Sequence, residues 1–280
     1  MNAMASKWIA IVAILAAILP GPALAQDEGS RQERREGVLR YNPRVDLAVT
    51  SIAATGWAIT MAAMDNLAPS NCRWCRVNSF DRWGHDNIKW SNAGAANKAV
   101  HVTGYALAPV AALGLDALAA GYDHRLSDFW VDALLIAEAS ALSSFATQLV
   151  KISTGRQRPR AHFGGGSQGP RDNISFYSGH TSFAFALAVS SGTVASMRGY
   201  RLAPLVWGTG LAVAATTGYL SLASDRHYLT DVIAGAVLGS AFGFGIPYLF
   251  HRPRRDESPR TAILALPVQG GALLTVSGRW

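Results

Sequence analysis

The stretch LAPLVWGTGLAVAATTGYLSLAS, residues 202–224, is followed after three residues by YLTDVIAGAVLGSAFGFGIPYLF, residues 228–250. The first stretch carries no charged side chain, and the second carries only Asp231. Roughly 20 consecutive apolar residues are enough for a helix to cross a bilayer, whereas a core helix of a soluble bundle normally keeps a polar face. The pair therefore predicts two long helices, and membrane insertion is favoured over a soluble helical bundle.

Four more apolar segments precede this pair, at about 45–64, 98–120, 127–153 and 180–197. Gly, Pro and charged residues separate them, and their lengths suit helices rather than strands. We therefore expect an all-α fold over residues 45–251, a helical bundle of five to six helices embedded in a membrane.

The two ends of the chain differ from this helical region. Residues 1–25 have the features of a secretory signal, with Lys7, an apolar stretch and small residues up to Ala25. A retained membrane anchor is the alternative. Residues 26–44 are polar and predict a linker. In the tail, residues 252–280, two short apolar runs flank a pair of glycines and predict a short β-hairpin.

The composition leaves the membrane question open but narrows the function. Of 280 residues, 15% are charged, the net charge is +7 and the mean hydropathy is +0.16. Lys and Arg are scattered, except in residues 151–160 and 252–260, and form no basic stripe. This distribution argues against a nucleic-acid partner.

The chain has two cysteines, Cys72 and Cys75. Two thiols cannot complete a four-ligand zinc site, and a redox motif needs a thioredoxin-like context that the sequence lacks. Because an exported compartment favours disulfides, we expect a structural disulfide ahead of free thiols or a redox pair.

Basic residues indicate an orientation in the membrane. RGYR, residues 198–201, separates two helices, and residues 251–255 follow the last one. The positive-inside rule places both on the cytoplasmic side of an inner membrane. Loops 151–180 and 224–228 then face the periplasm, provided that segment 45–64 lies along the interface without spanning. A soluble periplasmic bundle is the alternative.

Three polar clusters accompany the apolar segments, and the first is KISTGRQRP, residues 151–159. Lys151 and Arg158 are seven residues apart and share a face as long as the helix lasts. Pro159 disfavours helix at Arg158 and should turn the chain outward. Arg offers a planar fork and Lys a point charge, so the two suit a phosphate. A basic patch beside a membrane is the alternative.

The second cluster is FYSGHT, residues 176–181. Ser178 can cap the helix that starts next, and Gly179 allows a ligand to approach the backbone. The free amides of the first turn form an anion site, where His180 is placed for general acid catalysis. An incidental histidine at a capped helix start is the alternative.

The third cluster is SDRHYLTD, residues 224–231. His227 and Asp231 are four residues apart on an early helical turn, so they share one face. A carboxylate bonded to one ring nitrogen fixes the tautomer and leaves the other nitrogen free to attack. An Asp in an apolar stretch is costly without a partner, which disfavours a simple surface ion pair.

Together the clusters resemble the three signature motifs of the type 2 phosphatidic acid phosphatase and vanadium haloperoxidase family, over residues 99–250. The first matches Lys-x6-Arg-Pro in full, and the second matches Pro-Ser-Gly-His except for Tyr177. The third usually reads Ser-Arg-x5-His-x3-Asp. Its His and Asp are present, but Leu220 and Ser221 stand at the Ser and Arg positions.

The resemblance implies a phosphatase of the membrane-associated branch that needs no metal and no cofactor. In that mechanism His227 attacks phosphorus to form a phosphohistidine, Asp231 orients it, and His180 protonates the leaving oxygen. The residues implied to hold the phosphoryl oxygens are Lys151, Arg158, Ser178 and Gly179, with Ser221 at the position of the family arginine. Candidate substitutes for that arginine are Arg226, Arg160 and Arg171.

The expected activity is hydrolysis of a phosphomonoester or diphosphate, favoured to be a lipid phosphate, at a membrane of the cell envelope. One alternative is a vanadium-dependent haloperoxidase that uses the same pocket. The other is a catalytically degenerate envelope protein that binds phosphate groups, for which Ser221 is the main support. The sequence does not choose among phosphatidate, polyprenyl diphosphate, lipid A phosphates and soluble esters.

Overall fold

The computed structural model describes residues 38–253, 261–268 and 271–278. The predicted signal, residues 1–25, and most of the predicted linker lie outside the described residues, so both stay predictions. The helices are α1 (Pro43–Ala62), α2 (Met64–Leu67), α3 (Ser79–Ile88), α4 (Ala93–Val102), α5 (Ala108–Tyr122), α6 (Phe129–Thr154), α7 (Pro159–Phe163), α8 (Gly179–Arg198), α9 (Ala203–Ala223) and α10 (Leu229–His251). A π-helical turn, Thr103–Leu107, joins α4 to α5, and 3-10 turns occupy Leu126–Asp128 and Pro170–Asn173.

Residues 38–253 are thus helical, as expected, and strands occur only in the described part of the tail. There β1 (Thr261–Val268) pairs antiparallel with β2 (Gly271–Gly278), and Thr261 lies opposite Gly278. The residues that connect the strands, 269–270, lie outside the described residues. The hairpin therefore stays a prediction.

Helix α8 lies at the centre of the bundle and contacts α5, α6, α9 and α10. Its closest neighbour is α10, because one face of α10 carries a glycine at every fourth residue. A methyl group there would come within 3.0 Å of a backbone carbonyl oxygen of α8, so only a hydrogen fits at Gly235, Gly239 and Gly243. This close approach brings the start of α10 against the start of α8.

The long helices alternate in direction, which gives the bundle two distinct ends. Helices α6 and α8 are antiparallel, since Ser143 lies 2.8 Å from Ser182 and Asp132 pairs with Arg198 at 2.7 Å. We call the end that holds the last turn of α6 and the first turns of α8 and α10 the Lys151 end. The opposite end, where α1 begins and α10 finishes, is the His251 end.

Helix α1 packs lengthwise on α6 and runs parallel to it. Tyr41 contacts Trp130 near the start of both helices, whereas Met61 accepts a hydrogen bond from Gln148 near their ends. The prediction that segment 45–64 lies along the interface is therefore wrong in this structure. With α4 and α5 counted as one segment, six helical segments in residues 38–253 alternate between the two ends, and residues 43 and 251 lie at the same end.

The outer surface of the bundle is apolar. Five helical segments are long and apolar enough to cross a membrane: Pro43–Ala62, Ala93–Tyr122, Leu126–Thr154, Ala203–Ala223 and Leu229–His251. Large apolar side chains point outward from them, including Ile52, Val110, Val237 and Leu249. Small hydroxyl side chains are instead buried inside, as is usual for helices that pack in lipid. The chain is accordingly a helical membrane protein.

Candidate active site

The first predicted cluster lies where α6 ends. Gly155 adopts the left-handed conformation, with φ 58°, and caps the helix, so Lys151 is in its last turn. Arg158 is extended, with φ −74° and ψ 151°, as the following Pro159 requires. Helix α6 ends four residues before Arg158, so the face that the two residues would share while the helix lasts does not reach Arg158, and the chain turns there as Pro159 predicts. Both side chains are nevertheless buried at the Lys151 end.

The second cluster forms the capped start of α8, as predicted. The hydroxyl of Ser178 accepts from the amide of Thr181 and lies 2.8 Å from the Thr181 hydroxyl. Gly179 faces Lys151, and a Cβ at Gly179 would lie 3.2 Å from the ammonium nitrogen. The helix N-terminus and the Lys151 ammonium therefore act on the same small space, an arrangement that favours an anion.

The third cluster presents one ring nitrogen of His227 to this space. Its Nδ1 donates to the backbone carbonyl of Ser175 at 2.8 Å, which leaves the lone pair on Nε2, 3.5 Å from a guanidinium nitrogen of Arg158. Burial lowers the pKa of His227 to about 3, so the imidazole is neutral at ordinary pH. Asp231, expected to hold Nδ1, lies 3.8 Å away, and the backbone of Ser175 makes that hydrogen bond instead.

Asp231 is fully buried and has several other partners. It accepts from the Ser175 hydroxyl at 2.5 Å and from the Tyr228 amide at 2.9 Å, and it pairs with Arg156. Its own carbonyl accepts from the Ser178 amide at 3.0 Å, which ties the start of α10 to the cap of α8. Asp231 was expected to have a partner in the bundle. That partner is Arg156, which the sequence motifs did not indicate.

Three cationic side chains lie near His180 and His227, and their charges act on the two rings. They are Lys151, Arg158 and Arg226. In residues 38–253, no carboxylate lies within ion-pairing distance of Lys151, Arg158 or Arg226. Burial, and then the neighbouring Arg226, lowers the pKa of Arg158, the direction expected where like charges face one another. An anion with two or more charges would relieve this repulsion, and a phosphate is such an anion.

The chain resembles one family of known proteins and a solved structure. The model of the PAP2 superfamily matches residues 132–255, which contain all three clusters. This part of the chain is similar to the PAP2 superfamily, and it makes up less than half of the chain. The chain is also similar to a solved structure described as the first transmembrane PAP2 type phosphatidylglycerolphosphate phosphatase from Bacillus subtilis. That likeness has 15% identity and a TM-score of 0.43, over 75% of this chain and 96% of the other. A search of curated proteins gave no match.

The candidate site is supported by Arg156, a residue that the sequence motifs did not indicate. Arg156 is 1% exposed and bridges two buried carboxylates, Asp231 on one side and Asp81 of α3, at 2.5 Å, on the other. Its guanidinium carbon lies 4.1 Å from the ring centre of Trp74 and 4.3 Å from that of Tyr228. Such a packed, doubly paired arginine holds Asp231 in one position.

The loop that covers Arg156 is closed by the disulfide between Cys72 and Cys75, which confirms that prediction. Trp74 forms an isolated β-bridge with Arg156, and the amide of Arg73 donates to the carbonyl of Gly155 at 2.9 Å. The disulfide loop is therefore fastened to the segment between Lys151 and Arg158.

His180 has a partner that was not expected from the PAP2 motifs. Its Nε2 lies 3.0 Å from Nδ1 of His101, in the last turn of α4. The π-helical turn that follows brings Tyr105 to 4.7 Å from the His180 ring, and the backbone at Gly104 packs on the same ring. His180 is thus set against α4 and α5, and the proton on its Nε2 can be shared with His101.

Of the three candidate substitutes for the family arginine, Arg226 is the one whose charge is least compensated in the described residues. Arg160 pairs with Asp172 and Arg171 with Asp65, so their charges are compensated. Arg226 instead donates to the neutral amide of Asn97 at 2.9 Å, and its buried Nε has no hydrogen-bond partner in the described residues. The residue precedes α10, so the expected rotation of about 100° between neighbouring helical residues does not apply to it.

Ser221 does not present its proton to the site. It is 1% exposed within α9, and its hydroxyl donates to the carbonyl of Thr217 at 2.9 Å. Serine hydroxyls in helices commonly bond to the carbonyl one turn earlier. This geometry therefore does not support Ser221 among the residues that hold the phosphoryl oxygens.

Proposed function

We propose that this protein is a phosphatase that hydrolyses a phosphomonoester or diphosphate through a phosphohistidine on His227. The observation that carries the proposal is the Nε2 lone pair of His227, fixed by the Ser175 carbonyl and facing Arg158. A nucleophile needs a free lone pair and a site that binds the developing charge. The buried cations and the start of α8 supply that second element.

The reaction follows from these positions in two steps. Nε2 of His227 attacks phosphorus, the P–N bond forms, and the bond from phosphorus to the leaving oxygen breaks. His180 donates a proton to that oxygen, which departs as an alcohol or as a phosphate. His180 then takes a proton from water, the water oxygen attacks phosphorus, and the P–N bond breaks to release phosphate and free His227.

The charge that develops on phosphorus is stabilised by Lys151, Arg158 and Arg226, together with the amides that follow Ser178. This electrostatic role is the one that metal ions take in other phosphatases. In the described residues, the group of His, Asp and Glu with metal-ligand spacing lies at the His251 end, away from His227. The proposed reaction uses no metal in the chemical step.

A lipid phosphate fits the placement of the site. The cations lie at the ends of helices whose outer faces are apolar over the length of a membrane span. A lipid could keep its acyl chains beside these helices while its phosphate entered between the starts of α8 and α10. Phosphate release from a panel of lipid phosphates, including phosphatidate and polyprenyl diphosphate, identifies the lipid class.

We propose that the Lys151 end faces the periplasm of an inner membrane. The support is the disulfide between Cys72 and Cys75, which lies at this end, because disulfides persist in oxidising compartments. Because the six helical segments alternate between the two ends, residue 43 then lies at the cytoplasmic end. Cleavage of the predicted signal after Ala25 would instead leave residue 26 in the periplasm, which conflicts with this orientation. N-terminal sequencing of the mature protein shows whether that cleavage occurs.

The experiment that tests the function is phosphate release by the purified full-length protein from a panel of lipid and soluble phosphates. We expect turnover that vanadate inhibits, since vanadate resembles the transition state of phosphoryl transfer, and that chelators leave unchanged. Phosphate binding without turnover would indicate a degenerate site. Oxidation of bromide by peroxide in the vanadate-loaded protein would indicate a haloperoxidase.

A further inference from the structure

The His251 end contains a buried polar cluster that the phosphatase mechanism does not use. It joins Asp46 in the first turn of α1, Glu138 in α6 and His251 at the end of α10. The three residues are 6%, 7% and 4% exposed. Their ligand atoms, one from each side chain, lie within 4.8 Å of one another.

Hydrogen bonding fixes the tautomer of His251. Its Nδ1 lies 2.9 Å from the carbonyl oxygen of Arg40, which can only accept, so Nδ1 carries a hydrogen. The amide of Arg40 donates in return to the carbonyl of His251 at 2.9 Å. Histidines that bind metals are usually held in this way, with one ring nitrogen bonded to a carbonyl and the other turned toward the ion.

Two of the three residues have an unsatisfied atom in the cluster, whereas Asp46 accepts from the Asn42 amide at 2.8 Å. Nε2 of His251 and Oε2 of Glu138 lie 3.5 Å apart, yet both lack a hydrogen-bond partner in the described residues. A buried acceptor without a partner is destabilising, and two carboxylates close together repel each other. A divalent cation between them would use the unpaired atoms and balance both negative charges.

The spacing also suits a metal ion. Two ligands at about 2.1 Å from a tetrahedral ion lie about 3.4 Å apart, close to the observed separation of Nε2 and Oε2. An imidazole with two carboxylates is a donor set for Zn²⁺ or Mn²⁺ rather than for Mg²⁺, which prefers oxygen ligands and water. We propose that Asp46, Glu138 and His251 bind one divalent transition-metal ion, which fastens α1 to α6 and α10.

Such an ion would be structural and remote from the chemistry. Helix α10 has 23 residues, and at about 1.5 Å per residue it separates the cluster from His227 by roughly 35 Å. The metal would hold the start of α1 in the bundle. Its removal should therefore lower the thermal stability of the protein while the phosphatase reaction continues at temperatures where the bundle stays folded.

The test uses the tag-free full-length protein in detergent, stripped with a chelator and then titrated with Zn²⁺, Mn²⁺ or Mg²⁺. We expect about one Zn²⁺ or Mn²⁺ per chain by mass spectrometry of the metal content, and a rise in Tm of roughly 5 °C at saturation. Glu138→Gln keeps the side-chain shape and should weaken Zn²⁺ binding about tenfold or more. Asp46→Asn is the second lesion, in case Glu138→Gln does not fold.

The matched control is Asp116→Asn, which replaces another fully buried carboxyl group, in α5 and outside the cluster. This variant should bind Zn²⁺ like the wild type. No stoichiometric Zn²⁺ or Mn²⁺ on the wild type would overturn the proposal, and so would equal binding by Glu138→Gln. A metal requirement for phosphate release that persists in Glu138→Gln would instead contradict the proposed function, so the two failures are distinguishable.

Discussion

The imidazole of His227 donates its Nδ1 hydrogen to the backbone carbonyl of Ser175, at 2.8 Å. The carboxylate of Asp231 lies 3.8 Å from the same nitrogen and accepts the Ser175 hydroxyl at 2.5 Å. Ser175 thus stands between the proposed nucleophile and the carboxylate expected to orient it. Asp231 acts on His227 through charge and through the position of Ser175, and Arg156 in turn fixes Asp231.

Arg156→Lys should lower kcat by about tenfold to 100-fold and leave KM nearly unchanged, because an ammonium cannot bridge two carboxylates as a guanidinium does. The misplacement of Asp231 would alter the chemical step and leave phosphate binding intact. Steady-state kinetics of the variant measure both constants. The control is Arg73→Lys. Arg73 lies in the disulfide loop beside Arg156, but its guanidinium donates to the carbonyl of Ser153 and not to a carboxylate. An unchanged kcat in Arg156→Lys would remove Arg156 from the site.

Arg226→Ala should lower kcat/KM by about 10²–10³, the usual effect of removing a charged donor from a transition state. The matched control is Arg171→Ala, because the Arg171 side chain is 48% exposed and paired with Asp65. Ser221→Ala should change kcat/KM little, since the Ser221 hydroxyl donates to the carbonyl of Thr217. If Ser221→Ala were more damaging than Arg226→Ala, the third cation of this site would have been assigned wrongly.

The sequence predicted the six long helical segments but not the short helices α2, α3 and α7, and it named the three polar clusters that the structure brings together at the Lys151 end. Apolar length and the break at Pro159 predict α6 and its end, and Ser178 predicts the cap of α8. The contacts of Arg156 with Asp81 and Asp231 could not be predicted, because each joins residues 75 positions apart. The bond from His227 to Ser175 was missed because every residue has a backbone carbonyl, which leaves no sequence signature.

The same limit explains the other differences between expectation and structure. His101 belongs to no signature motif, and its contact with His180 depends on how α4 packs against α8. The cluster of Asp46, Glu138 and His251 comes from three separate helices. A signal was present in each case, namely a polar residue in an apolar segment, but the partner could be named only from the packed bundle.

The pH dependence of kcat/KM tests the environment of His227. Because burial lowers its pKa to about 3, His227 is neutral above that pH and protonated below it. The nucleophile should therefore stay available well below pH 6.5, the ordinary range of histidine titration. Phosphate release measured from pH 3 to 8, with correction for the second ionisation of the substrate near pH 6, should show no loss from His227 until about pH 4. A protein-derived loss centred near pH 6.5 would contradict this assignment.

The orientation can be tested with single introduced cysteines, since both native cysteines are bonded. Ser167→Cys is exposed at the Lys151 end and Arg201→Cys is exposed at the His251 end. A membrane-impermeant maleimide should label Ser167→Cys in intact spheroplasts and Arg201→Cys only after permeabilisation. The reverse pattern would place the site in the cytoplasm, and labelling of both in intact spheroplasts would indicate a soluble periplasmic bundle.

The central claim is that His227 carries the phosphoryl group, and the most direct test is to trap it. Protein mixed with a reactive phosphate substrate and quenched in alkali within one turnover should carry a base-stable, acid-labile phosphoryl group on the peptide that contains His227. His180→Ala should accumulate it by slowing its hydrolysis, whereas His227→Ala should show neither adduct nor turnover while its Tm and helical content stay close to wild type. Hydrolysis that proceeds without this adduct, or that survives in His227→Ala, would contradict the mechanism.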